Sequence, residues 1–259
     1  MTMNNSNLFD LRGRTAVVTG ASSGIGVQMA KALARQGSNL VILARRKEKL
    51  EAVARQIEEL GVKCIPVVCD ITDIEAIKNA VGITQKKFKT VDILVNNAGV
   101  GASAPAEETS DEMWYNTVNI DLNATFMVAR EFGKLMIEHG YGRIINIASM
   151  YGMVGNMVHP STAYHAAKGG VVNMTRGLAA EWAKNGITVN SICPGYFMSE
   201  LTGDILNTDE FSNYIKASVP VGRYGNEGEL DSTVVYLASE SSSYITGTII
   251  PVDGGYTCI

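Results

Sequence analysis

The sequence predicts an α/β fold in which one doubly wound parallel sheet carries helices on both faces. Three observations lead there. Short β-branched runs alternate with longer stretches of helical periodicity along the whole chain, and such alternation means parallel strands joined by crossover helices. The first run stops at a glycine-rich turn that opens directly into a helical pattern. The 259 residues, 46% hydrophobic and 19% charged, show no linker, repeat or low-complexity run, so residues 1–259 are expected to form one domain around one core.

Taken in order, Thr15 to Thr19 reads as the first strand. It ends at Gly20-Ala21-Ser22-Ser23-Gly24-Ile25-Gly26, and Val27, Ala30, Leu33 and Ala34 continue as a helix. Asn39 to Leu43 is the second strand, followed by a helix from Arg46 to Leu60. Val62 to Val68 ends at Asp70, Ile74 to Phe88 is helical, and Val91 to Val95 ends at Asn96-Asn97-Ala98-Gly99. One long helical region is expected from Ser110 to His139. The strand Arg143 to Ala148 then delivers Ser149. Ala167, Val171, Met174, Leu178 and Trp182 mark the next helix, which contains Tyr164 and Lys168. Thr188 to Cys193 runs into Pro194-Gly195; residues 196–225 are irregular and suit a substrate lid. A helix from Glu229 to Ala238 and a last strand, Thr248 to Val252, complete the sheet.

In an open parallel sheet, ligands bind at the carboxyl ends of the strands. Gly20, Ala44, Asp70, Asn96, Ser149 and Pro194 all follow strands and therefore share one edge. The glycine turn permits close approach of a pyrophosphate to N–H groups at the positive end of a helix. From Leu11 to Lys47 there is no acidic residue, and the second strand ends at Ala44-Arg45-Arg46. A carboxylate there would hold a ribose 2′-hydroxyl, whereas an arginine's planar fork holds a 2′-phosphate. NADP(H) is thus favoured, with NAD(H) possible. Tyr164 and Lys168, one helical turn apart, point the same way. A fixed positive charge beside a phenol favours the phenolate, which makes Tyr164 a candidate proton donor and acceptor.

The net charge of −4 and the pI near 5.5 argue against nucleic acid or an anionic membrane as partner. No stretch approaches the ~18 apolar residues of a membrane span, and the polar start lacks the apolar segment of a secretion signal; a cytoplasmic location is expected. Cys64, Cys69, Cys193 and Cys258 form no ligand spacing, so reduced thiols in a packed core are expected, with no metal site.

The motifs Thr19-Gly20-Ala21-Ser22-Ser23-Gly24-Ile25-Gly26, Asp70, Asn96-Asn97-Ala98-Gly99, Ser149, Tyr164-x-x-x-Lys168 and Pro194-Gly195 cover nearly the whole chain. Together they resemble the short-chain dehydrogenase/reductase family. The resemblance implies a Rossmann-type fold and interconversion of a secondary alcohol and a ketone. It implies Tyr164 as the proton-transferring group, Ser149 as the hydroxyl on the substrate oxygen, and Lys168 as the residue that lowers the Tyr164 pKa and binds the nicotinamide ribose. Gly20, Ser22, Ser23, Gly24, Ile25, Gly26, Arg45 and Arg46 would hold the phosphates, and Asp70 with Ile71 the adenine. Asn96, Asn97, Ala98, Gly99, Pro194, Gly195, Phe197 and Ser199 would border the cofactor, Ser199 standing where the family usually has a carboxamide-contacting Thr. A homotetramer built through the two long helices and the C-terminal strand is also implied.

The chain departs from the family pattern twice. Aligning on Trp114 and Phe126 places Asp121 where the family commonly has the Asn of the proton relay, with Asn119 and Asn123 two positions either side. Ser149 and Tyr164 lie fifteen apart where thirteen is usual, so Met150 to Ser161 should bulge. For the substrate, Met150, Tyr151, Met153, Val154, Met157, Met198, Leu201, Ile205 and Leu206 suggest an apolar pocket suited to a hydroxysteroid or acyl ketone; core or subunit packing is the bland alternative. His159 is a candidate substrate contact. Similarity to gluconate 5-dehydrogenases and 3-oxoacyl carrier-protein reductases, the former in Ile120-Asp121-Leu122-Asn123 and Pro194-Gly195-Tyr196-Phe197, keeps a sugar acid as the second reading. A purely dinucleotide-binding sensor is the alternative of another class, which would not require Ser149, Tyr164 and Lys168 together.

Overall fold

The computed structural model describes residues 8–101, 103–198 and 208–259. Seven strands form one parallel sheet: β1 (Thr15–Thr19), β2 (Asn39–Ala44), β3 (Cys64–Val68), β4 (Ile93–Asn96), β5 (Gly142–Ile147), β6 (Ile187–Pro194) and β7 (Ile249–Val252). Their spatial order is β3-β2-β1-β4-β5-β6-β7. The direction of winding therefore reverses between β1 and β4, and that switch point is where a crevice opens above the strand ends. Thr19 pairs with Leu43 and Val18 with Val95, so the turns after β1, β2 and β4 emerge side by side.

Both faces of the sheet are buried, which is why its strands read as continuous apolar runs instead of alternating ones. All five residues of β1 and all six of β5 are buried. On one face α1 (Gly24–Arg35), α2 (Lys47–Glu58) and α8 (Asp231–Ala238) pack through Met29, Leu33, Leu50, Ile57 and Val234. On the other, α3 (Ile74–Phe88), α5 (Thr125–His139) and α6 (Thr162–Trp182) pack through Ile77, Val128, Phe132 and Leu178. Each such side chain contributes roughly 1.5–3 kcal/mol on burial, and the two layers hold the strand ends in fixed register. Helix α7 (Asp209–Ser218) lies within the expected lid.

The region expected as one helix from Ser110 to His139 is interrupted. Helix α4 (Asp111–Val118), capped by the Ser110 hydroxyl accepting from Met113 N–H at 3.1 Å, passes into a π-helical turn over Asn119–Ala124 before α5 begins. A π-turn spends an extra residue per turn and rotates the following face; here it carries Asp121 wholly inward. Cys64, Cys69 and Cys193 are buried free thiols as expected, but Cys258 is exposed, because the short C-terminal turn Tyr256–Cys258 lies at the surface beyond the edge strand β7. No helix among the described residues is long and apolar enough to cross a membrane.

Candidate functional site

The glycine turn is built by backbone contact. Gly20 has φ +68°, and a Cβ there would lie 2.8 Å from both Ala98 Cα and Asn97 Nδ2. At Gly26 a Cβ would sit 2.6 Å from the Gly20 carbonyl oxygen. The turn is then tied to the segment after β4: Thr19 Oγ1 accepts from the N–H groups of Asn97 (2.9 Å) and Ala98 (3.0 Å), while Asn97 Nδ2 donates to Thr19 O at 3.0 Å. Asn97 thus shapes the turn with its side chain. Ser23, the residue before α1, makes no side-chain cap, and the first turn of α1 carries no acidic residue. The helix therefore presents unsatisfied N–H groups and its positive dipole end to an anion.

Arg46 closes one side of this cradle, its Nη2 donating to Ser22 Oγ at 3.0 Å and Ser23 Oγ at 2.7 Å. Arg45 is exposed beside it. The Asp70 carboxyl sits below the usual carboxylate range, chiefly because Thr72 N–H donates to it at 2.9 Å. The Thr72 hydroxyl at 2.8 Å and the charge of Arg45 add to this against partial burial. Ile71 is buried beside it. A dinucleotide phosphate fits this cradle of glycines, open N–H groups, hydroxyls and guanidinium.

At the same edge, Ser149 follows β5 and Tyr164 and Lys168 lie in α6. Gly152 sets the spacing between them: a Cβ there would be 2.6 Å from the Lys168 carbonyl oxygen, so the turn bearing Ser149 rests directly on the helix backbone. Ser149 Oγ accepts from Tyr151 N–H at 3.1 Å and interacts with the Tyr164 hydroxyl. Lys168 Nζ lies 5.5 Å from the Tyr164 ring centre, donates to Ile147 O at 3.2 Å and stands 3.4 Å from Asp121 Oδ2. Lys168 and Asp121 are both buried.

The lysine favours the phenolate as expected, yet the Tyr164 hydroxyl is raised overall. Burial is the largest cause, and the negative charge of Asp121 acts in the same direction. Asp121 in turn keeps the Lys168 ammonium charged against burial. The Asp121 carboxyl itself is pushed up by burial and pulled back by Lys168 and by the Val100 N–H, which donates to Oδ1 at 2.8 Å.

The inserted length between Ser149 and Tyr164 forms a short 3-10 turn, Met150–Gly152, and a loop pinned by Asn156. Asn156 Nδ2 donates to the Tyr151 hydroxyl (2.6 Å) and the His159 carbonyl (3.1 Å). From Tyr151 a chain of phenols runs through Tyr196 and Tyr214, 3.5 Å apart at their hydroxyls, to Tyr256, 3.0 Å further on. Tyr151 stacks on His165 with ring centres 4.6 Å apart, and His159 packs on Phe211 at 5.4 Å. Burial raises the Tyr151 phenol to about 12. The Nε2 atoms of His159 and His165 are buried without partners.

Several expected residues lie elsewhere than anticipated. The Phe197 side chain packs in the core against Gly225. Met150 is a core residue, whereas Met157 is fully exposed, so neither makes a pocket wall: the 3-10 turn points the first inward and the loop tip holds the second out. Gly195 packs on Asp253, where a Cβ would meet Cα at 2.7 Å. Ser199, Leu201, Ile205 and Leu206 lie outside the described residues. A cavity of about 410 Å³ beside Tyr196 and Phe197 includes Arg223, itself paired with Glu229 at 2.7 Å, but none of Ser149, Tyr164 or Lys168. The phenol chain beyond Tyr151 is not legible in the sequence, because its members are scattered over about a hundred residues. Their one sequence signal is that each follows a strand end or sits in the lid.

A doubly wound sheet with a phosphate cradle at its switch point and a Ser–Tyr–Lys group beside it is the build of a nicotinamide-dependent oxidoreductase. A family model described as enoyl-(acyl carrier protein) reductase matches residues 20–257. Gluconate 5-dehydrogenase of Gluconobacter oxydans (strain 621H) is 38% identical over 98% of this chain and 99% of its own. The 3-oxoacyl-[acyl-carrier-protein] reductase of Rickettsia bellii (strain RML369-C) is 40% identical over 96% and 98%. Among solved structures, a gluconate 5-dehydrogenase from Burkholderia cenocepacia J2315 in complex with NADP and tartrate superposes with a TM-score of 0.93 at 34% identity, covering 97% of this chain and 98% of that one. The chain belongs to the short-chain dehydrogenase/reductase family, as an NAD(P)-dependent alcohol dehydrogenase or ketoreductase.

Proposed function

We propose that this protein interconverts a neutral, ring-bearing or apolar ketone and its secondary alcohol with NADP(H), as a single catalytic unit spanning the chain. The Ser149 hydroxyl holds the substrate oxygen and stabilises its developing charge. The Tyr164 hydroxyl gives its proton to that oxygen in reduction and takes it back in oxidation. Lys168 favours the phenolate and orients the ribose. When bound, the nicotinamide supplies or accepts the hydride. Arg46, bridging Ser22 and Ser23, with Arg45 beside it, favours the 2′-phosphate of NADP(H), in keeping with the NADP bound to the Burkholderia relative.

The phenol chain carries the substrate reading. Asn156 donates to Tyr151, Tyr151 can donate to Tyr196, Tyr196 to Tyr214 and Tyr214 to Tyr256. In that direction every donor but the last is consumed internally. The wall then offers ring faces and edges in preference to free hydrogen-bond donors, which suits an apolar face. A second reading, a sugar acid or polyol, is favoured by the unpartnered Nε2 atoms of His159 and His165 and by the gluconate 5-dehydrogenase relatives. Initial rates with NADPH and with NADH on steroid ketones, 3-oxoacyl esters and 5-ketogluconate separate the two. Far faster turnover of 5-ketogluconate refutes the apolar reading, and preference for NADH refutes the arginine assignment. A cytoplasmic homotetramer is proposed with it, the exposed Trp114, Tyr115 and Phe126 of the α4–α5 region providing apolar surface for subunit contact; sedimentation velocity tests it.

A further inference from the structure

We infer that Asp121 is a positioning residue of this site: its carboxylate, anchored by the Val100 N–H, engages Lys168 directly and through its charge sets the pH range over which Tyr164 exchanges a proton. This rests on the proton-transferring role proposed for Tyr164. A carboxylate with no exposure survives in the interior only beside a cation or strong donors. Asp121 has both, with Val100 N–H 2.8 Å from Oδ1 and Lys168 Nζ 3.4 Å from Oδ2. Oδ2 has no hydrogen-bond partner beyond that charge contact.

Two features show the side chain, and not the backbone, facing the lysine. The Asp121 carbonyl is occupied, accepting from Thr125 Oγ1 at 2.9 Å. Gly99 leaves room over the pair, since a Cβ there would lie 3.2 Å from Lys168 Nζ and 3.3 Å from either carboxylate oxygen. An asparagine in the same place would offer an amide without charge.

The groups facing Tyr164 come from every neighbouring element: Lys168 on its own helix, Asp121 from the π-turn, Ser149 after β5, Cys193 in β6, and Tyr151 in the 3-10 turn. Of these, Lys168 and Asp121 are the two that are charged at neutral pH, and they act in opposite directions. The phenolate is therefore harder to form than a tyrosine–lysine pair alone would make it.

The test compares wild type, Asp121→Asn and Tyr164→Phe. The pH profile of kcat for alcohol oxidation is measured together with the phenolate absorbance of each cofactor-free protein, taken as a difference against the matching Tyr164→Phe variant. Removing the negative charge should move the acid limb of oxidation, and the phenolate midpoint, down by roughly one pH unit or more, the size expected for a neighbouring buried charge. A limb that stays in place or moves up overturns the inference, because a purely structural Asp121 would lower kcat without shifting it. Should Asp121→Asn fail to fold, Asp121→Ser, which also removes the charge, takes its place: a Tyr164 phenolate midpoint lower than in wild type supports the inference, and one that is unchanged or higher overturns it. Full turnover by Tyr164→Phe would instead refute the role of Tyr164 itself.

Discussion

Gly152 is where this site is most sensitive to one methyl group. A Cβ at that position would lie 2.6 Å from the Lys168 carbonyl oxygen, 2.7 Å from its carbon and 3.1 Å from Gly169 N. These are backbone atoms in the middle of α6, so no side chain can swing aside. Ordinary contact begins near 3.4 Å, which requires the Ser149 turn and the helix to separate by about 0.8 Å. The turn cannot yield on its far side, because Met150 is in the core and Gly152 N–H donates to Ser149 O at 2.9 Å. The displacement therefore falls on the distance between Ser149 and Tyr164. A misplacement of that order costs about 10- to 100-fold in rate, and the overpacking costs roughly 1–3 kcal/mol of stability. Gly152→Ala should lower kcat by that factor at saturating NADPH and ketone, with NADPH affinity by fluorescence titration nearly unchanged, since the Gly20–Gly26 turn is untouched. Gly155→Ala, in the same loop with nothing within 4 Å of its Cβ, is the control and should behave as wild type. A folded Gly152→Ala protein with kcat within twofold of wild type would show that helix contact does not place Ser149.

Lys168→Met leaves the buried Asp121 carboxylate without its cation and should cost about 3–5 kcal/mol in urea unfolding, most of it recovered in Lys168→Met/Asp121→Leu; an equally unstable double variant would refute the pairing. Arg46→Ala should raise the NADPH Kd about 10-fold or more through loss of a charge-assisted contact and leave the NADH Kd within a few-fold, whereas equal losses for both would exclude a 2′-phosphate role. Asn97→Ala removes the donor that holds Thr19 O and should weaken binding of either dinucleotide by about 5- to 30-fold, read by the same titration. Because the folded Asp70 carboxyl is depressed, its contribution is present above pH ~4 and lost as pH falls through its folded value. Thr72→Val should therefore destabilise by up to about 1 kcal/mol at pH 7, with the difference from wild type shrinking below pH ~4.

Most of the fold was legible because strand runs and helical periodicities are local signals, and because the rule that ligands gather at strand carboxyl ends converts them into one edge. Thr15–Thr19 and Ile74–Phe88 fall where their patterns place them. The π-turn at Asn119–Ala124 could not be read: its residues keep helical propensity, and the extra residue per turn is selected by what it buries, the Asp121–Lys168 pair, which lies 47 positions apart in sequence. The direction of the Tyr164 shift was likewise beyond reach, since a lysine one turn away is visible in the sequence while the burial that outweighs it is not.

The same distinction separates the two readings of the substrate pocket. Methionines clustered after Ser149 suggested apolar walls by composition, yet Met150 lies in the core and Met157 in solvent. Aromatic rings gather next to Ser149 instead: Tyr151, whose N–H donates to the Ser149 hydroxyl, Tyr196 and Tyr214 meet from three separate segments. A phenol is ambiguous in sequence because it offers both a donor and a ring, and only its partners decide which one a substrate meets. Here the hydroxyls bond one another, so the proposed apolar pocket rests on these rings and not on the methionines that composition points to.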